Sequence, residues 1–228
     1  MIPLFERVAL HPRQVLHHWN IAIEHIYFIE SGLVAIMAKI GDDRAVEVWL
    51  VGSDGMVGAP IILGDSRPPH RRIVLIGGTA LRMRVPAFRR LVETSRPLRE
   101  LVNRYLQFVL MRTSQSGACN TRHSVRQRLA RWLLLARDAL GQDAVTVPHE
   151  VLARLIGVRR ATISDCLKEI EGRSAIRRGR RLIQITDSET LQTLSCECYS
   201  FIAHERRRLL GIVPAAVETP HASRPSGL

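Results

Sequence analysis

Short apolar runs separated by turn residues fill the first part of the chain. They lie at residues 25–30, 33–40, 45–51, 73–76 and 81–85. In the third run apolar and polar residues alternate, which is typical of a strand with one buried face. Short strands with regular turn punctuation predict a β-sandwich or barrel of the jelly-roll kind. Prolines and glycines break up the stretch between the third and fourth runs, so it is predicted to form a loop with a short helix.

Apolar residues take up helical spacing after these runs. One helix opens at Pro86, and Pro97 restarts a second helix that is predicted to run to about Ser116. A stripe along this second helix is apolar for two heptads and then turns polar; it comprises Leu98, Leu101, Tyr105, Phe108 and Arg112. Such a stripe favours a parallel helix pair between two subunits. The alternative is a helix packed on its own β domain.

A short polar and glycine-containing segment, residues 117–121, is predicted to be a hinge after the long helix. His123 and Asn120 are interpreted as caps of the helix that follows. That next helix is predicted to reach Ala139. Its core face is formed by Val125, Leu129, Trp132, Leu133 and Ala136.

Two short helices separated by a glycine come next. Pro148 fits the start of the first, where its missing N–H is not needed. The apolar residues of this helix are Val151, Leu152, Leu155 and Ile156. Gly157 supplies a residue that accepts positive φ at the turn. A second helix is predicted from about Arg160, with Ile163, Leu167 and Ile170 on its buried stripe. This arrangement is typical of a helix-turn-helix.

The opposite face of the second helix carries short and basic side chains suited to a major groove, and residues 176–185 predict a β-hairpin wing with arginines at its turn. The predicted DNA-binding residues are Arg159, Arg160, Ala161, Thr162, Ser164, Asp165, Lys168, Arg178, Arg180 and Arg181. Residues 154–181 hold nine Lys and Arg against three Asp and Glu, a net of +6 out of +12 for the chain. Turn, wing and charge together predict DNA binding. The alternative is a helical hairpin in a core, with the arginines on a solvated face.

The overall composition agrees with this prediction. All basic residues except Lys39 and Lys168 are arginines, whose planar fork suits phosphates and guanine edges. No apolar run approaches the ~20 residues of a spanning helix, and the N-terminus lacks a signal-peptide pattern. We therefore expect a cytoplasmic protein with no membrane partner. Four cysteines fit a reducing compartment. Small, polar and proline residues predict a disordered tail at 213–228.

Five stretches together resemble one known family: 27–32 (YFIESG), 52–58 (GSDGMVG), 126–134 (RQRLARWLL), 155–162 (LIGVRRAT) and 196–199 (CECY). From about Phe5 to Leu210 the chain is similar to the Crp/Fnr family of bacterial transcription regulators. The resemblance implies an α+β fold. In that fold an N-terminal β-roll, jelly-roll and cyclic-nucleotide-binding-like, is joined by a long dimerisation helix to a C-terminal winged helix-turn-helix.

The same resemblance implies the domain organisation and the partners. The β-roll sensor would cover residues 1–95, the dimerisation helix and hinge 96–120, and the DNA-binding domain 121–212. The implied function is a homodimeric, sequence-specific regulator that binds double-stranded DNA, with RNA polymerase as a further partner and an unidentified effector in the β-roll. No enzyme is expected, because the sequence has no nucleophile elbow, phosphate-cradling glycine loop or HExxH pattern.

The family's base-reading positions fall on Arg160, Ala161 and Asp165 in this sequence. Arg160 matches a guanine-reading arginine. Many members carry a glutamate where this chain has Ala161, and the cyclic-AMP-binding branch carries a second arginine where it has Asp165, so the familiar half-site is not expected.

The effector-binding candidates correspond to the family's phosphate cassette and are Gly55, Met56, His70, Arg71 and Arg72. The glutamate and the Arg-Ser pair of the cyclic-AMP-binding branch are missing from this stretch, so cyclic AMP is not expected as the effector. The oxygen-sensing branch holds an iron–sulfur cluster on N-terminal cysteines. No cysteine precedes Cys119 here, which excludes that mechanism.

The remaining cysteines and histidines raise a second hypothesis. Cys196 and Cys198 are a poor zinc signature without a second ligand pair, and we interpret them as packing residues, with no metal site predicted. His17, His18 and His25 lie in a β pattern similar to that of metal-binding cupins, but a surface position is favoured for them. The alternative function is a metal- or small-molecule-binding β-roll whose C-terminal half serves only dimerisation.

Overall fold

The computed structural model describes residues 4–41 and 44–212. The tail predicted to be disordered, 213–228, lies outside the described residues. The first half of the chain is a roll of two antiparallel sheets. Its strands are β1 (Glu6–Leu10), β2 (Val15–His17), β3 (His25–Ile29), β4 (Leu33–Ile40), β5 (Arg44–Val51), β6 (Met56–Val57), β7 (Arg71–Ile76) and β8 (Gly78–Arg84). One sheet has the order β1-β8-β3-β6 and the other β2-β7-β4-β5.

The roll encloses a core to which both sheets contribute. Ile29 and Val57 from one sheet and Val34 and Val74 from the other are all nearly inaccessible to solvent. The jelly-roll prediction is therefore confirmed, and the predicted short helix is a 3₁₀ turn at Ala59–Leu63. The first two strands carried too few buried residues to give a pattern in the sequence.

Helices and one small sheet form the second half. The helices are α1 (Val85–Thr94), α2 (Arg96–Arg122), α3 (Val125–Leu140), α4 (His149–Ile156), α5 (Arg160–Gly172), α6 (Ser188–Leu194) and α7 (Cys198–Leu210). The sheet is antiparallel with the order β10-β11-β9, where β9 is Ala144–Thr146, β10 is Ile176–Arg178 and β11 is Leu182–Ile185. Throughout the ranges that the structure describes, no helix is long and apolar enough to cross a membrane.

The segment predicted to be a hinge, 117–121, is instead helical. Helix α2 continues unbroken to Arg122, and the chain changes direction at His123 and Ser124, whose backbones are extended. The new helix is capped by Ser124, and not by His123 or by Asn120, which lies within α2. Its Oγ accepts a hydrogen bond from the Gln127 amide at 3.3 Å, and the Gln127 side chain accepts one from the Ser124 amide at 3.0 Å. This capping box fixes the boundary between α2 and α3.

The apolar stripe of α2 packs on the chain's own roll. The Tyr105 hydroxyl donates to the Met56 carbonyl and accepts from the Met56 amide, both at 3.1 Å. Arg112 is buried and donates to the Leu50 carbonyl at 3.1 Å. Both residues were predicted to face a second subunit, but both make their hydrogen bonds within the protomer.

The other residues predicted for the dimer seam show the same result. Phe108 is only 3 % exposed and joins the core, and Leu98 is half-buried. Leu101 alone of the five predicted residues is exposed. An apolar heptad stripe indicates that some surface covers this helix face, and here that surface is the roll. For the four covered residues the alternative interpretation, a helix packed on its own β domain, is therefore correct.

The last helical segment, from Ser188 to Leu210, is divided into two helices. Residues 195–197 interrupt it between α6 and α7. Helix α7 then packs along α2, and its Arg206 bridges two carboxylates, Asp54 of the roll at 3.1 Å and Asp138 of α3 at 2.9 Å. This buried bridge joins both halves of the molecule.

Candidate nucleic-acid interface

The turn between α4 and α5 has the geometry that the sequence predicted. Gly157 has a φ of 77°, in the left-handed region, and its amide donates to the Ala153 carbonyl at 2.9 Å. Leu152 from α4 and Ile163 and Leu167 from α5 are completely buried. These contacts set the two helices at a fixed angle and leave the opposite face of α5 outside.

The outer face of α5 carries most of the residues predicted to bind DNA. Those that are exposed are Arg159, Arg160, Ala161, Asp165 and Lys168. Thr162 and Ser164 are half-buried, and Ser164 Oγ lies 3.3 Å from His149 Nδ1. Burial, followed by the charges of Arg178 and Arg160, lowers the pKa of His149. The exposed face therefore carries basic and short side chains at the start of the helix. This is the part of a recognition helix that contacts base edges.

The wing is an antiparallel hairpin as predicted. Ile176 pairs with Ile185 and Arg178 with Ile183, and the Gly179 amide donates to the Leu182 carbonyl at 2.7 Å. Arg180 and Arg181 are exposed at the tip. Two adjacent exposed cations at a hairpin turn are suited to phosphate contacts.

Arg178 differs from the other predicted wing residues because it is held inside the protomer. Its guanidinium lies 2.6 Å from the Glu171 carboxylate, and its amide donates to the same carboxylate at 2.8 Å. These hydrogen bonds lower the pKa of Glu171. Arg178 therefore anchors the wing on α5, and its charge is neutralised by a neighbour that the sequence did not identify as a partner.

The helix-turn-helix also touches the roll. Trp132 of α3 donates from Nε1 to the Glu47 carboxylate of β5 at 2.6 Å. Arg128 donates to the Ile156 carbonyl at 2.6 Å and so satisfies the end of α4. A cavity of about 120 Å³ lies between β5 and helices α2, α3 and α4, next to these contacts. Sequence reasoning missed this junction because its partners are up to 85 residues apart.

This junction is expected to respond to pH. Burial raises the pKa of Glu47 from 4.5 to about 7, although the Trp132 hydrogen bond and two arginines act in the opposite direction. A carboxyl with a raised folded-state pKa contributes stability at low pH and loses it as pH rises from about 4.5 through 7. The melting temperature should therefore fall over this range. In a Glu47→Gln variant that part of the fall should disappear, and equal slopes in both proteins would contradict the assignment.

The effector-binding candidates come from both sheets of the roll. Gly55 and Met56 lie beside β6 and pack on α2, and a Cβ at Gly55 would come within 2.8 Å of the Tyr105 hydroxyl. Arg71 and Arg72 lie on β7 in the other sheet. The predicted cassette is therefore divided between the two sheets of the roll.

Within the second group each side chain has a different environment. The Arg71 guanidinium stacks on the Trp19 ring at 4.2 Å, and the His70 ring lies edge-on to Trp49 with centroids 6.4 Å apart. Arg72 is 1 % exposed and donates to the His70 carbonyl. Burial lowers the pKa of Arg72 to about 10. Arg72 is thus a buried cation, charged at neutral pH, inside the β-roll.

The surface position expected for His17 is wrong. His17 is 6 % exposed, and its Nε2 lies 2.8 Å from the carbonyl oxygen of His25, not from its ring. Burial lowers the pKa of His17 to about 4, so the ring is neutral. Among the described residues, the group of side chains that could together hold a metal ion lies outside the roll and contains none of these three histidines. The cupin-like hypothesis therefore finds no support in these histidines.

Comparisons with known proteins agree with this geometry. Residues 127–194 match the Crp-like helix-turn-helix domain. The chain is 26 % identical over 175 residues to a CRP-like cAMP-activated global transcriptional regulator of Mycobacterium tuberculosis, covering 74 % of this chain and 78 % of that protein.

Two solved structures show the same fold. FixK2 from Bradyrhizobium japonicum superposes with a TM-score of 0.74 at 12 % identity, over 85 % of this chain and 98 % of that one. A Crp/Fnr-family regulator from Thermus thermophilus superposes with a TM-score of 0.67 at 20 % identity, over 83 % and 98 %.

Proposed function

We propose that this chain, a member of the Crp/Fnr family of transcription regulators, forms a cytoplasmic homodimer. The dimer binds a near-palindromic DNA site and contacts RNA polymerase. One observation carries the DNA-binding part: a closed helix-turn-helix core presents Arg159 and Arg160 on one exposed face, with Arg180 and Arg181 at the adjacent wing tip. A recognition helix of this kind inserts its first residues into the major groove while the wing contacts the backbone.

The experiment is binding to the chain's own promoter region against random duplex DNA. At physiological salt, specific binding should be at least about a thousand-fold tighter than binding to random sequence. Footprinting should show two related half-sites about 10 base pairs, one helical turn, apart or at a multiple of this spacing. Equal affinity for both DNAs would contradict a sequence-specific regulator.

Dimer formation is supported by a second stripe on α2, on a face that the roll leaves open. Its members are exposed and follow one another at alternating spacings of four and three: Asn103, Gln107, Leu110, Ser114, Gly117 and Thr121. This is the heptad spacing of a two-stranded helix pair. Leu110 is 65 % exposed, so a large apolar side chain lies at the middle of the stripe without cover in the protomer. We propose that a partner helix pairs along this stripe and that the resulting dimer presents its two recognition helices to one duplex.

Replacing Leu110 by glutamate should convert the dimer to monomer, because it places like charges opposite each other in the pair. Sedimentation equilibrium measures the change, and the affinity for a two-half-site DNA should fall with it. Leu63→Glu is the matched control, since Leu63 is a similarly exposed leucine (70 %) on the 3₁₀ turn of the roll. A dimer that survives Leu110→Glu unchanged would place the seam elsewhere.

The buried cation in the roll supports control by an anionic effector. Within residues 4–41 and 44–212, Arg72 forms no direct ion pair, and Asp65 acts on it only at longer range. Buried charges are normally paired, so an anion at this position would stabilise the roll. The proposed effector differs from the cyclic AMP of the mycobacterial relative, because the Met56 backbone, in the stretch corresponding to the cyclic-AMP cassette, is hydrogen-bonded to the Tyr105 hydroxyl.

A further inference from the structure

Four side chains that can ligate a metal ion converge where the two halves of the molecule meet. They are Cys119 and His123 at the end of α2, and Cys196 and Cys198 at the interruption between α6 and α7. Their ligand atoms all lie within 4.8 Å of one another. Cys119 Sγ lies 3.5 Å from Cys196 Sγ, and Cys198 Sγ lies 3.6 Å from His123 Nδ1. Residues 77 positions apart in the chain are thus brought into one small volume.

We propose that these four residues bind one zinc-type metal ion in a closed tetrahedral site. Zinc takes Cys₃His ligand sets with Zn–S of about 2.3 Å and Zn–N of about 2.0 Å. A tetrahedron of that size holds its ligand atoms roughly 3.5–3.8 Å apart. The Cys119–Cys196 and Cys198–His123 separations match this spacing. The remaining separations do not exceed 4.8 Å, so side-chain adjustments of about 1 Å bring all four atoms to one ion. Each thiol releases its proton to the buffer as its sulfur–metal bond forms, and no oxidant or reductant is involved.

The groups around the cluster are those that support a metal site. His123 Nε2 lies 3.1 Å from a Glu197 carboxylate oxygen, which fixes the ring with Nδ1 directed at Cys198. A carboxylate behind a ligating histidine is a recurrent feature of zinc sites. Gln115 Nε2 donates to Cys198 Sγ at 3.1 Å, as an amide does to a metal-bound thiolate.

The charge and burial of the cluster fit the same assignment. Three thiolates around a divalent ion leave a net charge of about −1, and the charge of Arg131 acts on Cys119 from α3. The three cysteines are at most 3 % exposed, while the His123 side chain is 18 % exposed. A buried site with four protein ligands and no open position is a structural site, not a catalytic one.

Simple packing explains the cluster less well. Cysteines that serve as small apolar residues are expected to contact aliphatic and aromatic neighbours. These three form a separate buried group that consists of cysteines alone, apart from the three larger apolar clusters of the described residues. A disulfide between Cys119 and Cys196 would use two of the four groups and leave Cys198 and His123 without a role.

The sequence contained the second ligand pair that a Cys-x-Cys motif needs. Cys119 lies in the last turn of α2, and His123 is the residue that follows the helix. The His123 amide still donates to the Cys119 carbonyl at 3.1 Å, which keeps the two residues one turn apart. The argument that Cys196 and Cys198 diverge holds only inside a helix. Cys196 precedes α7 and Cys198 is its first residue, so the irregular backbone brings both sulfurs to the same side. An ion here would join the end of α2 to the start of α7 and fix the boundary that His123 and Ser124 form.

The full-length protein, reduced and stripped with a chelator, is titrated with zinc alone. We expect one ion per chain by elemental analysis, and with cobalt in its place the absorption bands of a tetrahedral thiolate complex. Alkylation of the wild type should be blocked by zinc at three of the four cysteines and restored by the chelator. Zinc that binds without protecting these three cysteines would overturn the proposal, as would a reduced protein that binds none.

Variants assign the ligands with a control inside the same chain. Cys196→Ser and Cys198→Ser should each lower the zinc affinity at least about 100-fold, whereas Cys166→Ser should leave it unchanged, since Cys166 lies in α5 outside the cluster. Wild-type alkylation needs no variant, so it decides the matter even if a variant fails to fold. A Cys119–Cys196 disulfide in protein isolated without reductant, with no metal bound after reduction, would contradict a metal site.

Discussion

Replacing Arg206 by methionine is expected to lower the free energy of unfolding by about 3–5 kcal/mol, because it leaves buried carboxylates without their partner. The guanidinium bridges Asp54 at 3.1 Å and Asp138 at 2.9 Å, and the Asp138 side chain is 0 % exposed. Burial raises the pKa of Asp138 even with the bridge in place. Urea unfolding at neutral pH measures the change.

The pH dependence of this variant separates lost charge pairing from lost packing. Without Arg206 the folded-state pKa of Asp138 rises further, so stability is lost as pH rises through that value and is partly regained in acid. Arg207→Met is the control, because Arg207 is exposed one position further along α7. It should change the stability by less than about 0.5 kcal/mol. An Arg206→Met protein as stable as this control would show that the bridge does not hold the two halves together.

Replacing Arg160 by alanine is expected to weaken binding to the specific site by roughly 10- to 100-fold per half-site. Arg160 is exposed at the first turn of α5, where we propose a bidentate contact with guanine. Such a contact is worth about 1–3 kcal/mol of discrimination. Binding to random duplex DNA should change much less. The measurement is a competition titration with the natural site, a site with the guanine replaced, and random DNA.

The wing tip provides the matched control for this prediction. Arg180→Ala also removes one exposed arginine, but from a residue suited to phosphate. It should weaken binding to all three DNAs by a similar factor. The slope of the logarithm of the binding constant against the logarithm of the salt concentration should fall in magnitude by about one. The assignment of Arg160 as a base-reading residue fails if the two variants behave alike on all three DNAs.

The cysteine cluster and the Arg206 bridge act at the same boundary. Helix α7 is tied to the roll and to α3 by Arg206, and the chain just before it meets the end of α2 at Cys119. The Glu47 contact with Trp132 joins the two halves on another strand. Apolar packing also holds the two halves together, since Leu33 and Leu50 of the roll share one buried cluster with Leu133 and Leu152 of the helices. The polar contacts are the part of this junction that responds to charge and pH.

The sequence alone determined the helix-turn-helix and its wing. Their helices, turn and hairpin depend on contacts within about ten residues: the apolar spacing of α4 and α5, the positive φ of Gly157, and the paired strands that flank the arginine turn. Local periodicity and turn chemistry report such contacts directly. The family resemblance added the order of the domains and the prediction of which positions read bases.

Only the tertiary structure decided what each surface faces. The apolar stripe of α2 indicated that something covers it, and the fold placed the chain's own roll there and left the polar stripe through Leu110 exposed. The pairing of Arg178 with Glu171 and the meeting of Cys119 with Cys196 were equally hidden. A residue pattern records that a side chain prefers burial or a partner. Which partner it obtains depends on how distant segments pack. The order of residues in the sequence does not give the spatial distance between such segments.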